Sequence, residues 1–436
     1  MAAPRRCPVM WDIVEEHLEE AAFLASQWQR ARHSPDYRLH EVAQGPEARL
    51  LAHLDGLACA GPEAPERLVI PWLESTRPEE VFVAALALMA TGAPLDWLLP
   101  FFSEAPGPRQ TALFRALRLA PTAEVSKFLR RRELQATPGL QAAALGLLSL
   151  RGEALEAEAL LPLLRSESAE IKTAALRALR EDLPAARPLL ESALGAQSPD
   201  VRIAAGETAL ALGYPAALHA LRRPVASTAP EAARVLAVLA AAGHAEDVSR
   251  MAAALDVPAL ESAALWALGH SGWRHAAELC LEAMKHDRTA RLAGESFSRV
   301  TGLRLEGDFA RPAKADEENG LPPLEEDDLD ADLVPSPEAT LPLPDATAVA
   351  RWWAKEKDHF SPKTRYLRGQ PLSPEVAWKA LSTEPMRGRE QLALDLAVQT
   401  QGAVRFDTRT WANRQTAALA TGLTAVRTGR PRLTTR

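Results

Sequence analysis

The chain has 436 residues, 47% of them hydrophobic but only 5% aromatic, and a formal net charge of −7. That length suits one solenoid with appendages or two to three domains, and the scarcity of aromatic and β-branched residues favours helix over sheet. Cys7, Cys59 and Cys280 lie far apart with no CxxC, which excludes a disulfide framework and points to a reducing cytoplasm.

The predicted elements begin with a helical N-terminal cap over residues 1–75. Trp11, Val14, Leu18, Ala21 and Ala22 fall at helical spacing, and a second helix from Ala48 to Cys59 runs into Gly61-Pro62. Residues 76–305 then repeat about every thirty residues. Ala/Leu-rich helices end near Gly92, Ala120, Gly152, Arg180, Gly213, Gly243, Gly269 and Gly302. Thirty residues hold two short helices and two turns, with too little room for a βαβ unit. In the clearest unit, Val201, Ala204, Ala205, Thr208, Ala209 and Leu212 share one helix face. Ser198 is placed to cap that helix, Pro199 suits its first position, Asp200 favours its positive end, and Gly213 suits its C-terminal cap. The longest uncharged stretch, Leu134 to Leu150, is interrupted by Pro138 and Gly139 and is no membrane span.

Residues 306–345 carry 13 acidic and 2 basic side chains, and 346–436 carry 16 basic and 7 acidic, leaving the first 305 residues mildly acidic. The acidic, Pro-rich span reads as a linker or as a strap that docks on a basic face. The basic span reads as a C-terminal helical domain, with helices expected near 346–357, 373–382, 386–400 and 408–421. Its segment Phe360 to Pro371 interleaves basic and aromatic residues in a way that suits acidic protein surface or phosphate.

The opening Pro199-Asp200-Val201-Arg202-x-x-Ala205, and Glu170-Ile171-Lys172-x-x-Ala175 one unit earlier, resemble HEAT repeats. The fold expected is therefore an all-α, HEAT-like solenoid, and the resemblance implies that Asp200 and Arg202 bridge adjacent repeats. Further motifs sample nearly the whole chain: Glu19-Glu20-Ala-Ala-Phe-Leu24, His53-Leu-Asp-Gly-Leu57, Arg291 to Gly302, Arg365-Tyr-Leu-x-Gly369 and Arg387 to Leu394. These resemble a bacterial family of HEAT-like repeat proteins often encoded in type VI secretion gene clusters. The resemblance implies a cytoplasmic accessory role that binds an effector or secretion component: an adaptor or scaffold, or an immunity-type inhibitor.

No residue constellation demands an enzyme, a cofactor or a metal. The chain lacks G-x-S-x-G, H-E-x-x-H, Walker-type and G-x-G-x-x-G motifs. The densest set of possible ligands, His270, His275, Glu278, Cys280 and His286, reads as turn and helix residues. A HEAT-like DNA glycosylase would use Trp266, Trp273 and Arg274 on a basic groove, which the acidic body opposes. Trp352, Trp353, Arg365, Tyr366, Arg368, Arg389 and Arg414 are the candidate contacts for a protein partner.

Overall fold

Alanine and leucine at helical spacing, opened by proline and closed by glycine, produce short helices that stack in two layers. The computed structural model describes residues 9–103, 107–120, 123–153, 155–223, 228–311 and 337–428. Among these residues are twenty-two α-helices and two antiparallel strand pairs of two residues each. The chain is an all-α solenoid.

The front layer consists of Pro78–Ala90, Pro108–Leu119, Pro138–Leu150, Ala169–Ala178, Pro199–Ala211, Ala229–Ala242, Glu261–Ser271 and Asp287–Thr301. Four of them open on proline, whose missing N–H is one of the groups no helix can pair at that end. Shorter helices such as Ala157–Leu164, Arg187–Leu194 and Arg274–Ala283 pack behind them. The helices Trp11–Ala31 and Pro46–Cys59 pack on Pro78–Ala90 and cap the first repeat, while Leu39–Gln44 packs on Pro46–Cys59 and on the C-terminal helix Ala412–Thr428. Gly92, Gly152, Gly213, Gly243 and Gly302 take the left-handed conformation just beyond helix ends.

Two sequence expectations are corrected. Gly269 lies inside Glu261–Ser271, where an added Cβ would stand 2.8 Å from Ser296; the helix is closed by Gly272 instead. The Ser198 side chain caps nothing, whereas Ser168 one repeat earlier accepts from Ile171 N at 3.3 Å.

Bonds between repeats recur at the repeat spacing. Asp200 pairs with Arg234 and Arg202 with Glu231, each in the next unit. Thr208 Oγ1 donates to Leu176 O at 2.9 Å, Ser296 Oγ to Leu265 O at 2.8 Å, and Arg151 Nη1 to Ala120 O at 2.9 Å.

The C-terminal domain contains Ala346–Glu356, a strand pair of Tyr366–Leu367 with Gln370–Pro371, then Pro374–Thr383, Arg389–Gln399 and Ala412–Thr428. It has its own core of Leu367, Trp378, Leu381, Leu392, Leu396 and Phe406. It also shares both cores of the solenoid. Met386, Trp411 and Ala412 belong to the core of the cap and early repeats, and Val349, Trp353, Phe360 and Tyr366 to that of the later repeats. The span read as an acidic linker has structured ends: Ala310–Arg311 pairs antiparallel with Leu343–Pro344 beside helix Asp287–Thr301. The remainder of the 306–345 span, residues 312–336, lies outside the described residues.

Candidate functional site

Segment 365–369 crosses the C-terminal ends of three successive front helices, where the last carbonyls lack intrahelical partners. Arg365 donates through Nε to Ser271 O at 2.8 Å, and through Nη2 to Ala240 O at 3.1 Å and His270 O at 3.3 Å. Its fork also grips Asp395 at 3.1 and 2.8 Å. The backbone continues the pattern: Tyr366 N donates to Gly272 O at 2.7 Å, Arg368 N to Arg299 O at 2.6 Å and Gly369 N to Val300 O at 2.9 Å. Positive charge at these ends complements the negative poles of the helix dipoles. The terminal glycines also leave room, since an added Cβ on Gly302 would stand 2.6 Å from Arg368 O.

The other candidate contacts lie in the same interface. Trp353 and Tyr366 are buried beside Phe360, with Phe297 of the last repeat 5.4 Å from Trp353, and half-buried Trp352 lies 6.1 Å from Phe297. Arg368 forks onto Glu384 at 2.7 and 3.0 Å. Arg389 is fully buried, donates to Leu381 O at 2.7 Å, and is lowered by burial to about 9. Arg414 is half-buried, its pKa lowered by burial and the nearby charge of Arg151. The seven residues expected to meet a partner therefore sit within or beside the contact between the C-terminal domain and the solenoid. Trp353, Tyr366 and Arg389 have too little exposed surface to touch another molecule.

Around this strap lies a buried ionic cluster. Arg299, 2% exposed, pairs with Glu384 at 3.3 Å, and Arg387 with Glu295 at 3.6 Å and Glu338 at 2.9 Å. Both guanidiniums lie over the Trp266 ring, which packs on His270 at 4.4 Å. Burial, reinforced by Arg299, Arg387, Arg365 and Arg368, holds His270 well below the usual imidazole range. Burial raises the Glu295 carboxyl against the pull of Arg387 and Arg299. Half-buried Trp266 is thus engaged by this cluster.

At the opposite end, the fully buried Glu47 ties the cap to the last helix. Its carboxylate accepts from Ala412 N at 2.6 Å, Asn413 N at 2.9 Å and Trp28 Nε1 at 3.0 Å. Trp411 packs against Trp28 with ring centres 5.1 Å apart and planes tilted by 50°, and donates to Leu119 O at 3.0 Å.

Between these two anchorages helix Arg389–Gln399 packs on Pro199–Ala211 and Ala229–Ala242, and beside that contact the two domains line a cleft of about 770 Å³. One wall comes from the front helices of the middle repeats, the other from Arg389–Gln399 and residues 405–409. Six arginines line it (Arg118, Arg177, Arg180, Arg234, Arg405, Arg409), with four carboxylates (Glu170, Glu207, Glu390, Asp407) and small apolar residues such as Ala142, Ala237 and Ala397 between them. Sequence reasoning missed this site. Arg180 was visible only as a repeat end, and Arg405 stands alone between two helices.

The histidine-cysteine set does not converge. His275 pairs with Glu278 at 3.5 Å on an exposed face, while Cys280 is buried in the core, where desolvation pushes its thiol up to about 12. Among the described residues no three His, Cys, Asp or Glu side chains are placed to hold a metal, and no helix is long and apolar enough to cross a membrane. Compared with known proteins, the chain matches no family and no curated protein.

Proposed function

We propose that this protein is a non-enzymatic scaffold that seats a segment of a protein partner in the cleft between its solenoid and its C-terminal domain. The observation that carries the reading is the cleft's composition. Charges of both signs alternate with small apolar residues along walls from two domains. Such a surface complements a protein segment of mixed character, with apolar burial supplying affinity and charge fixing register. It suits nucleic acid poorly, because four carboxylates would face a phosphate backbone. The motif resemblance supplies the proposed setting: a HEAT-like cytoplasmic accessory of type VI secretion, with an effector or secretion component as partner.

The test is affinity capture with the full-length protein at moderate salt, beside Ala142→Trp, which fills the cleft from a half-buried position. A secretion component or effector recovered by the wild type and lost with the variant is the expected result. Equal recovery by both would remove the cleft from the function, and salt-sensitive nucleic acid in place of any protein would overturn the scaffold reading.

A further inference from the structure

The charged residues of the cleft are not equally occupied. Arg118 pairs with Asp407 at 2.6 Å, Arg409 with Glu390 at 2.6 Å and Arg177 with Glu207 at 3.6 Å, while Arg234 pairs with Asp200. Arg180 is engaged with Ser149, donating to Oγ at 3.3 Å and to the carbonyl at 2.5 Å. Arg405 differs. It is half-buried, it has no ion pair among the described residues, and its buried Nε and Nη2 have no acceptor. Burial and the neighbouring charge of Arg180 lower it to about 10, so it stays charged at neutral pH. Thr173, 9% exposed, lines the same cleft from the solenoid wall, and its hydroxyl also lacks a partner.

A desolvated cation without a counter-ion weakens a fold, and an apolar residue of similar length is usually better tolerated there. Arg405 makes physical sense where an incoming anion completes it. We infer that Arg405, with Thr173 on the facing wall, seats a carboxylate side chain from an acidic residue of the partner's segment. This rests on the scaffold reading above. The fork of Arg405 offers paired donors matched to a carboxylate, and the threonine hydroxyl adds a further donor. A single acidic residue flanked by neutral or basic ones fits better than a run of negative charge, because Glu170, Glu207, Glu390 and Asp407 line the same space. The occupant is therefore a peptide carrying one Asp or Glu at that point, and not a polyphosphate.

The probe is a phage-displayed library of random dodecapeptides, selected on the full-length protein and counter-selected on Arg405→Met. Selected peptides should share an Asp or Glu and bind Arg405→Met at least about tenfold more weakly, the scale of one charge-assisted contact. Arg405→Lys should fall between the two, since it keeps the charge and loses the fork. Without peptide, Arg405→Met should melt at or above the wild-type temperature. A clear fall in its melting temperature would make Arg405 a packing residue and overturn the proposal. So would selected peptides without an acidic residue, equal binding to both proteins, or Arg405-dependent binding of a duplex oligonucleotide. If capture recovers a partner that Ala142→Trp loses and Arg405→Met keeps, the seat is wrong and the scaffold reading stands. If acidic peptides depend on Arg405 but capture yields no partner, the seat stands and the secretion setting fails.

Discussion

Removing the Arg365 side chain tests whether the basic, aromatic segment serves the fold or a partner. In Arg365→Ala, Asp395 at 7% exposure loses its only cationic partner among the described residues, and three helix-terminal carbonyls lose a charged donor. Breaking a buried pair by deleting one member costs about 3–5 kcal/mol, and each bond to a charged donor contributes about 1.5–3 kcal/mol. The Arg365 side chain is 13% exposed, so water recovers some of those carbonyls, and about 3–5 kcal/mol is the expected total. Asp395→Ala should cost less, about 2 kcal/mol, and the double variant should fall short of the sum by about 1–3 kcal/mol, because the stranded carboxylate is gone. A two-lobed chain of this size need not unfold in one step, so hydrogen exchange is the appropriate assay. The amides of Tyr366, Arg368 and Gly369, which bond Gly272, Arg299 and Val300, report the strap directly. If their opening free energies in Arg365→Ala stay within about 1 kcal/mol of wild type, the clamp reasoning is wrong.

Three more outcomes are expected. Glu47→Ala strips the acceptor from two buried donors and one part-buried donor and should loosen helix Ala412–Thr428 by about 3 kcal/mol, read as faster exchange at the Ala412 and Asn413 amides; unchanged exchange there would refute the cap. Gly388→Ala drives a methyl into the Arg299 guanidinium and should lower the thermal midpoint, by about 2 kcal/mol of overpacking; a neutral result would mean the ionic cluster is loose. The folded protein keeps His270 neutral, while the unfolded chain takes up a proton as pH falls below the ordinary value of 6.5. The unfolded state then binds more protons, so stability drops by about 1.4 kcal/mol per pH unit below that point. His270→Gln should flatten the slope between about pH 6.5 and 5.5, and equal slopes in urea titrations would remove His270 from the acid response.

The front layer was legible because its units share an Ala/Leu face and many carry punctuation: proline at the start of four, and glycine at Gly92, Gly152, Gly213, Gly243 or Gly302. Gly269 misled because a glycine that admits a neighbouring helix looks, in sequence, like one that ends a helix. The bridging role of Asp200 and Arg202 was implied by the likeness to HEAT openings alone, and their partners Arg234 and Glu231, one unit later, emerge only from the fold. Arg365, Tyr366, Arg368 and Arg389 stood out for their chemistry, but their destination did not. Arg365 reaches carbonyls up to 125 residues away, and backbone acceptors leave no mark on side-chain identity. Arg405 carried no signal for a related reason. What distinguishes it is a missing partner, which only three-dimensional packing defines.

An open stack of repeats behaves like a spring, each unit answering only to its neighbours, and such arrays gain or lose units over time with little penalty. Here the C-terminal domain is a chord strung across the arc, fastened to Leu119 by Trp411 at one end and to Val300 by Gly369 at the other. The chord has one length, so the arc beneath it has one repeat number. Inserting or deleting a single unit between those fastenings would leave the chord about one helix layer too short or too long, roughly 10 Å. The span of the chord and the repeat count are therefore locked together, and with them the width of the cleft between the two domains.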